Sequence, residues 1–141
     1  MQTHKQIPPA WKALVAEATR VAAHSHSPYS GFRVGAALRL DNGEVVTGTN
    51  VENASYGLTI CAERAALVQA VSRFGPRIRI ESAAVANLNG APSSPCGACR
   101  QMLFEFASPG AQVAFPAADG WGILTFDQLL PEGFSPANLQ K

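Results

Sequence analysis

All three cysteines of the chain fall in two short segments, Cys61-Ala62-Glu63 and Pro95-Cys96-Gly97-Ala98-Cys99, and each segment opens a run with helical spacing. Helix starts suit that placement: the unpaired first-turn N–H groups and the helix dipole favour anions, so a thiol there ionises readily. Cys96 and Cys99 are spaced to converge on one ion. Cys61, far upstream, joins them only if two helices begin side by side, so the fold has to bring two helix N-termini together.

The rest of the chain reads as one domain over 1–141, with no repeat, low-complexity tract or linker. Pro8 and Pro9 suit a helix start, and Trp11, Leu14, Val15, Ala18 and Ala22 keep helical spacing to about Ala23. Ser25–Gly31 is a loop. Val34–Leu40 and Val45–Asn50 are apolar runs flanking Asp41-Asn42-Gly43, a hairpin signal because Asn and Gly both tolerate positive φ. An alanine-rich helix is predicted from about Ile60 to Phe74, ended by Gly75-Pro76. A strand over Ile78–Leu88 follows, then a helix from Gly97 to about Ala107, short strands at Val113–Phe115 and Ile123–Thr125, and a brief helix at Phe126–Leu130. Strands alternating with helices predict an α/β protein whose strand-helix-strand units pair in parallel. The expectation is a three-layer α/β/α sandwich with a five-stranded mixed sheet.

Composition narrows the function classes. Hydrophobic residues make up 47% of the chain and charged residues 15%, which leaves an uncharged surface and points to coverage by other subunits. The net charge of +1 and the lack of any basic stripe beyond Arg73, Arg77 and Arg79 argue against a nucleic-acid partner and for a small substrate. No run reaches the roughly 18 apolar residues of a membrane span, and Met1–Lys5 lacks a signal peptide's apolar core. An odd cysteine count fits a disulfide framework poorly. A cytoplasmic enzyme is expected, whose clustered cysteines serve a metal or catalysis.

Three protein ligands mark a catalytic zinc, because the fourth tetrahedral position stays open. Two other readings stand beside this one: a closed structural site completed by His4, His24 or His26, and a redox Cys-x-x-Cys pair. Zinc with three thiolates carries a net charge of −1, which opposes ionisation of water there, so positive charge has to compensate. The helix N-termini supply some, and Arg64 is a candidate donor to the thiolates. Glu63 is placed to move protons at the open face of the ion. A non-catalytic zinc-stabilised binding module would account for the cysteines but not for Glu63.

Taken together, the motifs resemble those of the small cytidine deaminases, the homotetrameric three-cysteine zinc type. Pro28-Tyr29-Ser30-x-Phe32-x-Val34-Gly35-Ala36-Ala37-Leu38 resembles that family's loop-to-strand segment. Asn50-Val51-Glu52-Asn53-Ala54-Ser55-Tyr56 resembles its nucleoside-binding segment. Cys61-Ala62-Glu63-Arg64 and Ser94-Pro95-Cys96-Gly97-Ala98-Cys99-Arg100-Gln101 resemble its zinc motifs, and Leu129-Leu130-Pro131-x-x-Phe134 its tail. The resemblance implies one Zn2+ per subunit on Cys61, Cys96 and Cys99, with Arg64 bonded to the thiolates. It implies hydrolytic deamination of cytidine and deoxycytidine in pyrimidine salvage, with Glu63 as the proton carrier. Phe32 and the backbone of Ala62 would contact the base, and Asn50 and Glu52 the ribose 3′-hydroxyl. Ala54, Tyr56 and Phe134 would reach into a neighbouring subunit's site within a homotetramer. Deaminases of aminoacyl-nucleoside antibiotics share the zinc motifs but not the Asn50–Tyr56 stretch, which favours a plain nucleoside.

Overall fold

A computed structural model describes residues 2–139. The Asn-Gly hairpin forms as expected. Strands Val34–Leu40 (β2) and Val45–Thr49 (β3) pair antiparallel, from Gly35 opposite Thr49 to Arg39 opposite Val45. Gly43 takes φ 85° at the turn, and the Asn42 side chain accepts from the Glu44 N–H. The second strand stops at Thr49, one residue short of the predicted end, because the Asn50 amide turns inward to bond the chain ahead of β2.

Four more strands complete the sheet: Gln2–His4 (β1), Ile80–Asn87 (β4), Ala107–Ala117 (β5) and Gly120–Thr125 (β6). Their order is β1-β6-β5-β4-β2-β3. Among the described residues β4 and β5 are the one adjacent parallel pair, joined by the helix Gly97–Phe106 (α3). β3 and β4 also run in the same direction with β2 between them, and the helix Ala62–Phe74 (α2) joins them. The helix Lys12–Ala22 (α1), entered through a 3-10 turn at Pro9–Trp11, covers one sheet face by setting Leu14, Val15 and Ala18 against Ala37, Ala84 and Ala86. On the other face α2, α3 and a short helix at Phe126–Leu129 (α4) pack Ala66, Leu67, Leu103 and Phe126 onto Leu38, Leu40, Val85 and Val113. Period-two alternation along β2 sends Leu38 and Leu40 to one layer and Ala37 to the other. The three-layer sandwich is as expected.

The sheet has six strands rather than five. The added strand, β1, is short and without apolar alternation, so nothing in its sequence marks it. It pairs on the edge of β6, where Gly120 at φ 127° admits the His4 backbone; a Cβ there would collide with it. β5 is longer than the predicted Val113–Phe115 because Ser108-Pro109-Gly110, for which no strand is predicted, is a bulge carried within it. The register with β4 jumps from Ile80 opposite Ala107 to Ser82 opposite Gln112.

Two close approaches bring the helix starts together. Gly48 of β3 lies under α2, where a Cβ would overlap the backbone of Ala62 and Ala66. α2 and α3 in turn touch each other. Since α2 follows β3 and α3 follows the neighbouring strand direction of β4, both helices begin beyond the carboxyl ends of their strands, the usual place for a site in such sheets.

Candidate metal centre and its cavity

Cys61 and Cys96 are the N-caps of α2 and α3, with extended backbone (φ −74°, ψ 155° and φ −67°, ψ 167°). Neither side chain is spent on a capping hydrogen bond, so both sulfurs are free to turn to a common point. Cys99, in the first turn of α3, is fully buried behind them. The Cys61 and Cys96 sulfurs are 3.7 Å apart, those of Cys96 and Cys99 3.5 Å, and all three lie within 4.8 Å of one another. Three sulfurs bound tetrahedrally to zinc at about 2.3 Å sit roughly 3.8 Å apart, so the observed spacing already fits that ion. Among the described residues no histidine joins the cluster, which removes the closed site that His4, His24 or His26 would have completed.

The ionisation of the thiols calls for a cation. Hydrogen bonding from Cys99, with help from Arg64 and Cys96, draws the Cys61 thiol down to about 5 despite its burial. Cys99 moves the other way, pushed well up because it donates to the Cys61 thiolate and is itself desolvated. Arg64 lies alongside: one terminal nitrogen donates to the Thr59 carbonyl at 3.3 Å and to the Cys61 sulfur at 3.6 Å. Among the described residues its buried Nε has no partner.

A cavity of about 260 Å³ opens beside the sulfurs. Cys61, Ala62, Glu63 and Cys96 line it, together with Phe32, Asn50 and Glu52. Glu63 is 5% exposed, and that burial, reinforced by the Cys61 charge, raises its carboxyl to about 7. A buried carboxyl that exchanges its proton near neutrality, next to a three-sulfur metal site, is equipped for acid–base chemistry.

Asn50 and Glu52 reach the cavity with most of their hydrogen-bonding capacity used. The Asn50 Oδ1 accepts from the Val34 N–H at 3.0 Å and from the Ser25 hydroxyl at 2.6 Å, while its amide nitrogen donates to the Phe32 carbonyl at 2.7 Å. One N–H remains. The Glu52 Oε1 accepts from the Tyr29 and Ser30 N–H groups, both at 3.1 Å, and Oε2 accepts from the Ser30 hydroxyl. One acceptor position remains. A donor left on one and an acceptor left on the other, both lining the same cavity, suit a hydroxyl group.

Ala54, Tyr56 and Phe134 do not line this cavity. All three are exposed, Tyr56 at 70% and Phe134 at 53%, with Tyr56 edge-on to Tyr29 at 5.5 Å. Val51, Leu58, Ile60 and Val68 are exposed as well. Conversely, the cavity includes Ser30, Val34, Thr59, Val85, Ser93 and Ser94, which the motifs did not single out as site residues. Val34 and Val85 cannot be told from core residues by pattern. The serines lie in irregular loops with no period, and only the nearness of Ser94 to Pro95-Cys96 hinted at a place in the site.

Comparison with known proteins agrees with this geometry. Residues 10–114 match the model of the cytidine and deoxycytidylate deaminase zinc-binding region. The chain is 42% identical over 127 residues to a cytidine deaminase of Halalkalibacterium halodurans, covering 89% of this chain and 95% of that one. Against a cytidine deaminase of Mycobacterium tuberculosis the identity is 40% over 131 residues, covering 93% and 94%. The crystal structure of the cytidine deaminase from Burkholderia pseudomallei superposes with a TM-score of 0.78 at 40% identity, over 87% of this chain and 98% of that one.

Proposed function

The chain belongs to the cytidine and deoxycytidylate deaminase zinc-binding family, and on that premise we propose how its residues divide the work of converting cytidine and deoxycytidine to uridine, deoxyuridine and ammonia. It is a zinc-dependent hydrolase of pyrimidine salvage that acts on the C–N bond of a cyclic amidine. The observation that carries the residue assignments is a cluster of three sulfurs, two of which, those of Cys61 and Cys96, line one cavity together with the buried Glu63.

Cys61, Cys96 and Cys99 hold one zinc per subunit, and Arg64 offsets the charge of the thiolates. Bound there, zinc supplies the Lewis acidity that makes water a nucleophile at neutral pH. Glu63 would take a proton from water as the oxygen adds to C4 of the cytosine ring and would deliver it to N3. It then carries the second proton to the departing amino group. The C4–N bond breaks, ammonia leaves and C4 keeps the oxygen. A carboxyl near 7 suits both directions of transfer. Phe32 packs against the pyrimidine and the Ala62 backbone contacts it beside the metal. Asn50 donates to the ribose 3′-hydroxyl and Glu52 accepts from it. Neither residue reads the 2′-position, so both nucleosides fit.

The enzyme works as a homotetramer of single-domain subunits over 1–141, in the cytoplasm, on free nucleosides and without a nucleic-acid or membrane partner. No helix among the described residues is long and apolar enough to cross a membrane. Ala54 and Tyr56 contact the sugar, and Phe134 the base, in a neighbouring subunit's site. Their exposure supports this, because several large apolar side chains left exposed on a sparsely charged chain, Val51, Leu58 and Ile60 among them, call for cover.

The test is the ultraviolet absorbance of cytidine mixed with the zinc-loaded protein, with Glu63→Ala as control. The spectrum should move to that of uridine with the parent and stay unchanged with the variant, which keeps its zinc. An active Glu63→Ala protein would overturn the role given to Glu63.

A further inference from the structure

The part of the cavity assigned to the ribose is organised by a hydroxyl to which the reaction gives no task. Ser30 lies in the loop between α1 and β2, on the cavity wall and exposed. Its Oγ donates to Glu52 Oε2 and accepts from the Phe32 N–H at 3.0 Å. One side chain thus ties the carboxylate assigned to the sugar to the residue assigned to the base.

Glu52 has little else to hold it in one orientation. Backbone N–H groups of Tyr29 and Ser30 anchor Oε1, but among the described residues Oε2 has the Ser30 hydroxyl as its one partner. The terminal torsion of a glutamate is broad and roughly two-fold. Without Ser30 Oγ the carboxylate pivots about Oε1, and the acceptor left for the substrate no longer points in a fixed direction. The same bond is the largest of several influences that hold the Glu52 carboxyl below its ordinary range, which keeps it an acceptor.

We propose that Ser30 is a positioning residue for the nucleoside sugar: its hydroxyl fixes the Glu52 carboxylate in the orientation that accepts from the 3′-hydroxyl and sets that carboxylate's place relative to Phe32. The proposal rests on the reading that Glu52 holds the 3′-hydroxyl, and the experiment separates the two.

Steady-state kinetics of the zinc-loaded parent, Ser30→Ala, Ser30→Thr and Glu52→Gln are measured on cytidine and on 3′-deoxycytidine. Losing an oriented hydrogen bond to a charged group lowers kcat/KM for cytidine by about tenfold or more in Ser30→Ala, carried mainly by KM. That loss disappears on 3′-deoxycytidine, and Ser30→Thr, which keeps the hydroxyl, restores most of it on cytidine. If the parent treats the two nucleosides alike and Glu52→Gln costs nothing, the reading of Glu52 fails and takes the proposal with it. If the parent and Glu52→Gln behave as expected but Ser30→Ala matches the parent, the proposal is overturned while Glu52 keeps its role. An equal loss on both nucleosides, or no rescue by threonine, marks general damage to the loop and also overturns it. Ser30 is exposed and outside helix and strand, so the variants are expected to unfold thermally with the parent.

Discussion

Gly48 and Ala62 meet backbone to backbone: a Cβ built on Gly48 would stand 2.6 Å from the Ala62 carbonyl oxygen. Ala62 lies between Cys61 and Glu63, so the seating of α2 on β3 sets the position of a sulfur of the cluster and of the carboxyl proposed to move protons. Gly48→Ala cannot be absorbed by a flexible side chain, because backbone stands on the other side of the contact. The variant should lose about 1–3 kcal/mol of stability and hold zinc less tightly. Urea unfolding with zinc analysis after dialysis checks both. A variant as stable and as zinc-rich as the parent would show that the helix lifts at no cost.

Arg64 offers the second handle on the metal. Its guanidinium donates to the Cys61 sulfur at 3.6 Å and helps draw that thiol toward its ionised form. Arg64→Gln keeps a donor and removes the charge, so three thiolates around one dication become harder to sustain. Partners of metal ligands typically contribute about 10- to 100-fold in affinity, and zinc release to a chromogenic chelator should accelerate on that scale. Unchanged release would place Arg64 among ordinary helix residues.

Glu63 leaves a signature in stability as well as in rate. Its carboxyl rises from an ordinary 4.5 to about 7 in the folded chain. A raised folded pKa contributes stability that is complete below about 4.5 and lost as pH climbs through about 7. Glu63→Gln keeps the shape and removes the titration. In chelator-stripped protein the glutamine variant should therefore gain on the parent between these values, by an amount on the order of 3 kcal/mol at the top, and the gap should then level off. Cys61 titrates in both proteins, with the opposite sign, and largely cancels in the difference. Melting temperatures across the range give the answer, and a gap that narrows with rising pH would contradict the burial argument.

The sequence disclosed the metal centre more fully than the sheet. Cysteines at two helix starts state a convergence that only a few folds can satisfy, and Asn42-Gly43 states a hairpin through its φ requirement. Local chemistry decides both features, so local sequence carries them. β1 is decided by a neighbour: its three residues pair because β6 offers an edge and Gly120 gives room. No strand is predicted over the bulge in β5 because Ser108, Pro109 and Gly110 have turn chemistry, and pairing with β4 is what holds them within the strand. Ser30 shows the same limit within the site. It stood inside a quoted motif, yet its task depends on Glu52, and side chains meeting across a loop leave no periodicity to read.

The exposed aromatic side chains yield a prediction about assembly and activity together. Tyr56 and Phe134 lie outside the cavity of their own subunit and are mostly exposed. If they complete a neighbour's site, the monomer binds nucleoside without its full set of contacts, and activity follows assembly by mass action. Dilution through the dissociation range should then lower specific activity in step with the loss of tetramer, as followed by light scattering or mass photometry. Tyr56→Ala and Phe134→Ala should each shift that range to higher concentration, because buried aromatic anchors are commonly worth about 2 kcal/mol or more at an interface. They should also lower kcat/KM in whatever tetramer remains, by about tenfold when a single stacking or sugar contact is lost. A monomer with the full kcat/KM of the tetramer would refute the shared site while leaving the zinc centre and Glu63 where they are.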